Sequence, residues 1–401
     1  MHTVSPTRRH LIAVTAAGLL ASRLPRVGHA QDASPIPAGA DDGSLPAMLA
    51  RVYDPIPDGG TGPSTLLTYA NIARQLEVRG LRGLDAALED DDRLSEWIDG
   101  VDGLYLDNII AERTFQAEFW EMVGFGPADI AQTMTIGDPP GITRIYRGDF
   151  DGAAIQRALE SAGYEPIETD RGSVLSIGQD GEFAADNPIQ VVAISAYNNI
   201  AIVDDSYLIA SPFIVNVESA LAVFAGSEAT LANNRAVDTL MSAIEDELVT
   251  ATILDGSVLS VANLPDFARE GGPTPVAAET IPPVVYALFG LTPGSMPSRY
   301  KDEDPQLQGD NDDTIPRSAF VIGLHLGSVE EAAAAVPVIQ ARFDGGVSVL
   351  NGQAYADLLG EAEVTAVAEA PVVTIRITGD RVGRIWLRVV FGLDLAFIYT
   401  E

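Results

Sequence analysis

The densest group of possible metal ligands is the acidic run from Lys301 to Thr314, KDEDPQLQGDNDDT. Ca²⁺ takes about six to eight oxygen ligands, and clustered carboxylates repel one another unless a cation lies among them. One hypothesis is therefore a weak Ca²⁺ site formed by Asp302, Asp304, Asp310 and Asp312. Gln306 and Leu307 stand where an EF-hand would place a third ligand and its turn glycine. The alternative is a solvated insertion between two strands.

Histidine and cysteine chemistry is nearly absent. The sequence has no cysteine and four histidines, of which His2, His10 and His29 lie in a segment that we expect to be removed. Zinc sites need several His or Cys ligands, and a Ser–His–Asp triad could use only the remaining His325. That residue lies in VIGLHLGS, a strand-like run in which a half-buried structural histidine is the commoner role. We assign no catalytic residue and no resident cofactor.

Carboxylate pairs remain open to this chain, because two acids suffice to hydrolyse a glycoside. The least arbitrary pair is Asp149 with Asp151, in the stretch YRGDFDGAAIQRALESAGY. This stretch also contains the Arg-Gly-Asp tripeptide of adhesion ligands. On a strand, Tyr146 and Phe150 share one face while Arg147 and Asp149 point the other way. We interpret the stretch as a corner between a strand and a helix, with its charges in water and Asp151 as the helix cap.

Composition limits the partners. The chain has 401 residues, 47% of them hydrophobic, and a formal net charge of −33. Such a surface repels phosphate backbones and anionic lipids, so we expect no nucleic-acid partner. An unidentified small molecule or protein ligand remains open.

The first residues are typical of an export signal. The stretch SPTRRHLIAVTAAGLLASRLPRVGHAQDA combines the pair Arg8-Arg9, a mild apolar run and a small-residue cleavage site that ends at Ala30. We predict a twin-arginine signal over residues 1–30, with an ordinary secretion signal as the alternative, and location in the periplasm or outside the cell. The apolar run is too short to span a bilayer, which needs about 20 residues, so we expect no membrane span after signal removal.

Periodicity predicts an α+β fold in several segments. A Pro/Gly-rich linker occupies 31–46, and a helical segment at 47–140 follows from the spacing of Tyr69, Ile72, Ala73 and Leu76. A first α+β unit at 141–263, a connector at 264–281 and a second α+β unit at 282–401 complete the chain. The second unit carries the acidic loop at 293–318.

The two units show matching landmarks. Asp151 and Ser328 each follow a strand and cap a helix, and turns are predicted at Asp204 and at Gly379, inside a second hairpin. The nearly equal offsets suggest a duplication. The predicted fold is an N-terminal helical segment followed by two ferredoxin-like α/β sandwich units, duplicated under this hypothesis, with mostly antiparallel sheets.

Several phrases resemble exported bacterial proteins of unknown function. They are TYANIARQLEVRG, GFGPADI, RGDFDGAAIQRAL, NNIAIVDDSYLIAS and IWLRVVFGLDLAFI. The resemblance covers most of the chain after residue 45. It implies a shared architecture and includes no catalytic signature.

Two classes of function therefore compete. The first is an exported, non-enzymatic binding or interaction protein. The second is a carboxylate-dependent hydrolase, for example one that acts on glycans. A deep cleft that holds two carboxyls with perturbed pKa would favour the hydrolase, and a shallow surface with an apolar patch would favour the binding protein.

Overall fold

Twelve strands join into one sheet in the computed structural model of this chain. The structure describes residues 43–56, 63–81, 91–114, 116–183, 185–261, 280–294, 317–350, 352–392 and 394–400. The strands are β1 Thr65–Asn71, β2 Ile130–Ile136, β3 Thr143–Gly148, β4 Glu165–Thr169, β5 Gly172–Ser176, β6 Asn199–Val203, β7 Tyr207–Ser211, β8 Thr250–Asp255, β9 Tyr286–Leu291, β10 Ala319–His325, β11 Glu361–Ala366 and β12 Val372–Thr378.

The strands follow the order β11-β12-β10-β9-β8-β1-β2-β3-β7-β6-β5-β4. Each neighbouring pair of these named strands is antiparallel. The pairing of β8 with β9, in which Ala251 lies opposite Gly290, joins the strands of the two predicted units into one sheet. The predicted α+β class with antiparallel pairing is confirmed. The duplication and the ferredoxin-like character of the units stay predictions.

Helices cover both faces of the sheet. They are α1 Leu45–Leu49, α2 Ile72–Val78, α3 Asp91–Val101, α4 Asn108–Arg113, α5 Ala117–Val123, α6 Gly152–Ser161, α7 Pro188–Ala193, α8 Ile214–Phe224, α9 Arg235–Ser242, α10 Val329–Gly345, α11 Tyr355–Leu359 and α12 Val382–Phe391. Short 3₁₀ turns lie at Pro127–Asp129, Leu231–Asn233, Gly256–Leu259 and Ala396–Ile398. None of the described helices combines the length and apolar character that a membrane crossing requires.

Two hydrophobic cores lie on opposite faces because successive strand residues alternate between them. One core contains Tyr146 with residues of α6, α10 and α12. The other contains Ile145 and Tyr69 with residues of α8 and α9. A sheet with both faces covered buries both sides of its central strands, which explains why six of the seven residues of β1 are buried.

The predicted helix through Tyr69, Ile72, Ala73 and Leu76 is right only from Ile72 onwards. Tyr69 lies in β1, and α2 begins only at Ile72, so the segment 47–140 contains the strands β1 and β2. The physical reason is that β1 is buried on both faces and therefore lacks the alternation that marks a strand. Tyr69 lies by coincidence at a helical spacing from the apolar residues of α2, and the predicted helix therefore extended into the strand.

The predicted C-terminal hairpin is wrong. After β12 the chain forms the helix α12, in which Val382, Trp386 and Val389 are buried. Gly379 therefore separates a strand from a helix rather than two strands. The β-branched and aromatic residues of this segment favoured a strand, but their spacing at intervals of three and four residues fits a helix face.

Several local predictions are confirmed. Asp151 Oδ1 accepts the Ala154 N–H at 2.8 Å and caps α6, and Ser328 Oγ accepts the Glu331 N–H at 3.2 Å and caps α10. Asp204 and Asp205, with φ of 51° and 54°, form the tight turn between β6 and β7. The predicted signal and the metal ligands Asp302, Asp304, Asp310 and Asp312 lie outside the described residues, as does nearly all of the connector.

Candidate functional site

A cavity of about 410 Å³ opens at one end of the sheet, where β1 and β3 end and β2 and β7 begin. We call it the Asp129 cleft. Its lining residues are Ile72, Ala73, Leu76, Leu81, Trp97, Ala128, Asp129, Ile130, Ala131, Arg147, Gly148, Asp149 and Ser206.

A strand leads into a helix on one side of the cleft, and a 3₁₀ turn leads into a strand on the other. A side chain caps the helix and another caps the turn. Asn71 ends β1, and its Oδ1 accepts the Arg74 N–H at 3.0 Å, which starts α2 across the mouth of the cleft. A single turn of 3₁₀ helix leads into β2, and Asp129 Oδ2 accepts the Gly126 N–H at 2.7 Å. These caps fix the ends of the strands and therefore the position of the cleft rim.

Gly148 brings two acidic residues together. The Asp149 N–H donates to the Asp129 carbonyl oxygen at 3.1 Å, and the Gly148 N–H donates to the Ser206 carbonyl oxygen at 3.0 Å. A Cβ atom at position 148 would lie 1.9 Å from the Asp129 carbonyl oxygen, so only glycine fits this close approach. The Arg-Gly-Asp stretch is therefore a tightly packed corner whose outer residues form the cleft rim.

The rim is acidic overall, with two carboxyls and one guanidinium. The Asp129 side chain reaches solvent, but the surrounding protein removes part of its hydration, and this raises its pKa above the usual value. The nearby Asp149 carboxylate raises that pKa further, whereas the hydrogen bond from Gly126 opposes the rise. The Arg147 guanidinium donates to Gln132 Oε1 at 3.3 Å.

The floor of the cleft is apolar. Ile72 and Ile130 are almost fully buried, as is Trp97 from α3. Leu76 lies in α2 and Leu81 follows this helix, and both side chains are half-buried and line the cleft. An apolar floor beneath a polar rim is the usual construction of a site for a small molecule.

The structure changes the predicted carboxylate pair. The Asp151 carboxylate caps α6, whereas Asp149 lines the cleft together with Asp129. The prediction that Arg147 points into water is also wrong, because this side chain is half-buried and lines the cleft. Phe150 lies on the opposite face as predicted and packs edge-on against Phe125, with ring centres 6.0 Å apart.

His325 lies at the end of β10 and is absent from the cleft lining. Its side chain is half-buried, burial lowers its pKa, and Nδ1 makes no hydrogen bond to the described part of the chain. Within the described ranges no group of three or more His, Cys, Asp or Glu residues could hold a metal ion.

Sequence reasoning missed a buried charge cluster. The Arg144 guanidinium donates through Nε to both carboxylate oxygens of Asp107, each at 3.1 Å, and the Tyr146 hydroxyl also donates to Asp107. The Tyr146 and Tyr197 hydroxyl oxygens are 3.0 Å apart, and burial raises the pKa of both phenols. The cluster is fully hydrogen-bonded within the protein, so it fixes α4 against β3. Its only sequence signal is Arg144, which is one of two arginines in β3.

No protein-family model matches this chain. No curated protein matches it either. Among solved structures, the one described as crystal form I of TP0453 is similar, with 11% sequence identity and a TM-score of 0.36 over 85% of this chain and 98% of that chain. At that TM-score the likeness supports no argument about fold or function.

Proposed function

We propose that this chain is an exported, non-enzymatic binding protein and that the Asp129 cleft holds a small-molecule ligand. One observation supports this above the others: the cavity of about 410 Å³ has an apolar floor and a rim of Asp129, Arg147 and Asp149. Sites for small molecules are typically about 300–1,000 Å³, mostly apolar, and carry a few polar groups that orient the ligand.

A binding experiment with a blocked cleft tests the proposal. Ala73 is an exposed residue of α2 that lines the cleft, so Ala73→Trp should fill the cavity without disturbing either core. A fragment library screened by ligand-observed NMR should give hits with the wild type that are lost in Ala73→Trp. Ala153→Trp is the matched control, because Ala153 is an exposed residue of α6 outside the cleft lining. Hits that persist in Ala73→Trp would place binding elsewhere.

The second candidate is a carboxylate-dependent hydrolase. The observation that favours it is a carboxyl with a raised pKa, Asp129, whose neighbour is Asp149. Glycoside hydrolysis uses two carboxyl groups that flank the scissile bond, one of them with a raised pKa. Chromogenic glycosides incubated with the wild type, Asp129→Asn and Asp149→Asn test it. Turnover by the wild type that both variants abolish would favour the hydrolase and contradict a purely binding role.

Export is part of the same proposal, and it is supported by the order of basic pair, apolar run and cleavage site in the first 30 residues. Replacing Arg8 and Arg9 by lysine should block export if the twin-arginine route is used. Cell fractionation of a tagged full-length chain measures this. Unchanged secretion of the lysine variant would exclude the twin-arginine route and favour an ordinary secretion signal.

We also propose that two α+β units share an origin, with the units running from β1 to β7 and from β8 to β12 rather than over 141–263 and 282–401. The strand order β1-β2-β3-β7-β6 has the same pattern as β8-β9-β10-β12-β11. In both runs a capped helix, α6 or α10, follows the third strand. Superposition of the two units in an experimental structure is the test, and a failure to align these five strands would contradict a common origin.

A further inference from the structure

We infer that the ligand of the Asp129 cleft is an amphipathic cation, an amine whose ammonium group lies at the Asp129 and Asp149 carboxyls while its apolar body packs against Leu76 and Leu81. This inference rests on the proposed binding function and adds the chemical class of the ligand. It depends on the position of the rim charges relative to the apolar wall within one cavity.

The charges on the rim select the sign of the ligand. Two aspartates and one arginine line the cavity, and the arginine already donates to Gln132 at 3.3 Å. The two carboxylates attract an ammonium group, whereas they repel a carboxylate or a phosphate. The net charge of −33 on the chain extends the same preference to longer range, because it attracts cations towards the surface.

The apolar wall selects the rest of the ligand. A free metal ion or a small hydrated cation would leave the half-buried Leu76 and Leu81 uncovered, although both belong to the cavity lining. An alkyl or aryl group on the ligand removes this apolar surface from water. Its burial makes the free energy of binding more favourable by about 25 cal/mol per Å². The cavity volume of about 410 Å³ accommodates a body of phenylalkyl size.

The raised pKa of Asp129 supports the same class of ligand. Lost hydration and the Asp149 charge raise the pKa of Asp129 in the empty cleft. A bound ammonium group would offset the repulsion between the two carboxylates and return that pKa towards its usual value. A cation therefore offsets the Asp149 contribution to the raised pKa, whereas a neutral ligand does not.

Three probes with one apolar body separate these effects: 4-phenylbutylamine, 4-phenylbutanol and 4-phenylbutanoate. Isothermal titration at neutral pH and low salt should give an affinity for the amine about fivefold above that for the alcohol, with the carboxylate weakest. An ion pair at a partly exposed site supports a factor of this order. Amine affinity equal to that of the alcohol, or a preference for the carboxylate, would overturn the inference.

Charge-neutral variants complete the test. In Asp129→Asn/Asp149→Asn the amine should lose its affinity advantage over the alcohol, and the amide introduced at position 129 retains an oxygen for the Gly126 N–H. The control Glu165→Gln/Glu168→Gln removes two charges from exposed positions of β4 and should leave the amine affinity within about twofold of the wild type. An equal loss in the control would show that only the overall charge matters and would overturn the inference.

The blocked cleft distinguishes this inference from the proposed function. If the amine and the alcohol bind equally and Ala73→Trp abolishes both, the cleft is a binding site and only the cationic class is wrong. If no probe binds, or if Ala73→Trp changes nothing, the proposed function fails together with this inference. Thermal melts of each variant establish that it is folded before its affinity is interpreted.

Discussion

Replacing Gly148 by alanine should loosen the corner that forms the cleft rim. The added Cβ would lie 1.9 Å from the Asp129 carbonyl oxygen and 2.9 Å from Phe150 Cζ, whereas real Cβ atoms stay beyond 3.0 Å. The Asp129 carbonyl would have to retreat by the difference, about 1.1 Å. This oxygen also accepts the Asp149 N–H at 3.1 Å, so the retreat breaks that hydrogen bond.

The expected cost follows from these two effects. Overpacking against fixed backbone costs about 1–3 kcal/mol, and the lost hydrogen bond adds about 0.5–1.5 kcal/mol. We therefore expect Gly148→Ala to lower the free energy of unfolding by about 2–4 kcal/mol. The same movement displaces Asp129 and Asp149, so binding of 4-phenylbutylamine should be lost as well.

Urea unfolding followed by circular dichroism measures the loss of stability, and Gly126→Ala is the matched control. Gly126 lies beside the same cleft, but its Cβ would approach only Asp129 Oδ2, at 3.8 Å, and its φ of −137° suits any residue. We expect the control to stay within about 0.5 kcal/mol of the wild type, as surface substitutions usually do. A Gly148→Ala protein as stable as Gly126→Ala would refute the proposed packing of this corner.

Three further predictions concern stability and pH. Phe150→Ala should lower the free energy of unfolding by about 3–5 kcal/mol because this ring is 4% exposed, and a melt equal to that of the wild type would contradict its burial. Arg144→Met should cost about 3–5 kcal/mol in urea unfolding because it leaves the Asp107 carboxylate buried without its cation, and adding Asp107→Asn should recover part of the loss. Amine binding, titrated at several pH values, should weaken as pH falls through the raised pKa of Asp129, since protonation removes its charge. The wild type should gain stability relative to Asp129→Asn over the same fall in pH, because a raised folded-state pKa favours the folded, protonated form, and pH-independent binding would contradict this assignment.

Local structure follows from short stretches of the sequence. The caps Asp151 and Ser328 and the turn at Asp204 were predicted because each depends on a few neighbouring residues and their backbone preferences. The absence of cysteine and the single histidine beyond the expected signal restricted the possible chemistry in the same direct way. Predictions failed where burial on both faces of a strand removed the alternation on which they depended, as in β1 around Tyr69.

The meeting of charged residues depends on the assembled sheet. Asp129 lies next to Asp149 because β2 and β3 pair with one particular register, in which Ile130 lies opposite Gly148. Asp107 meets Arg144 because the start of α4 packs on β3. Such contacts depend on the summed burial of two whole cores, so no short stretch of sequence encodes them. The cleft and its acidic rim therefore exist only after the sheet has formed.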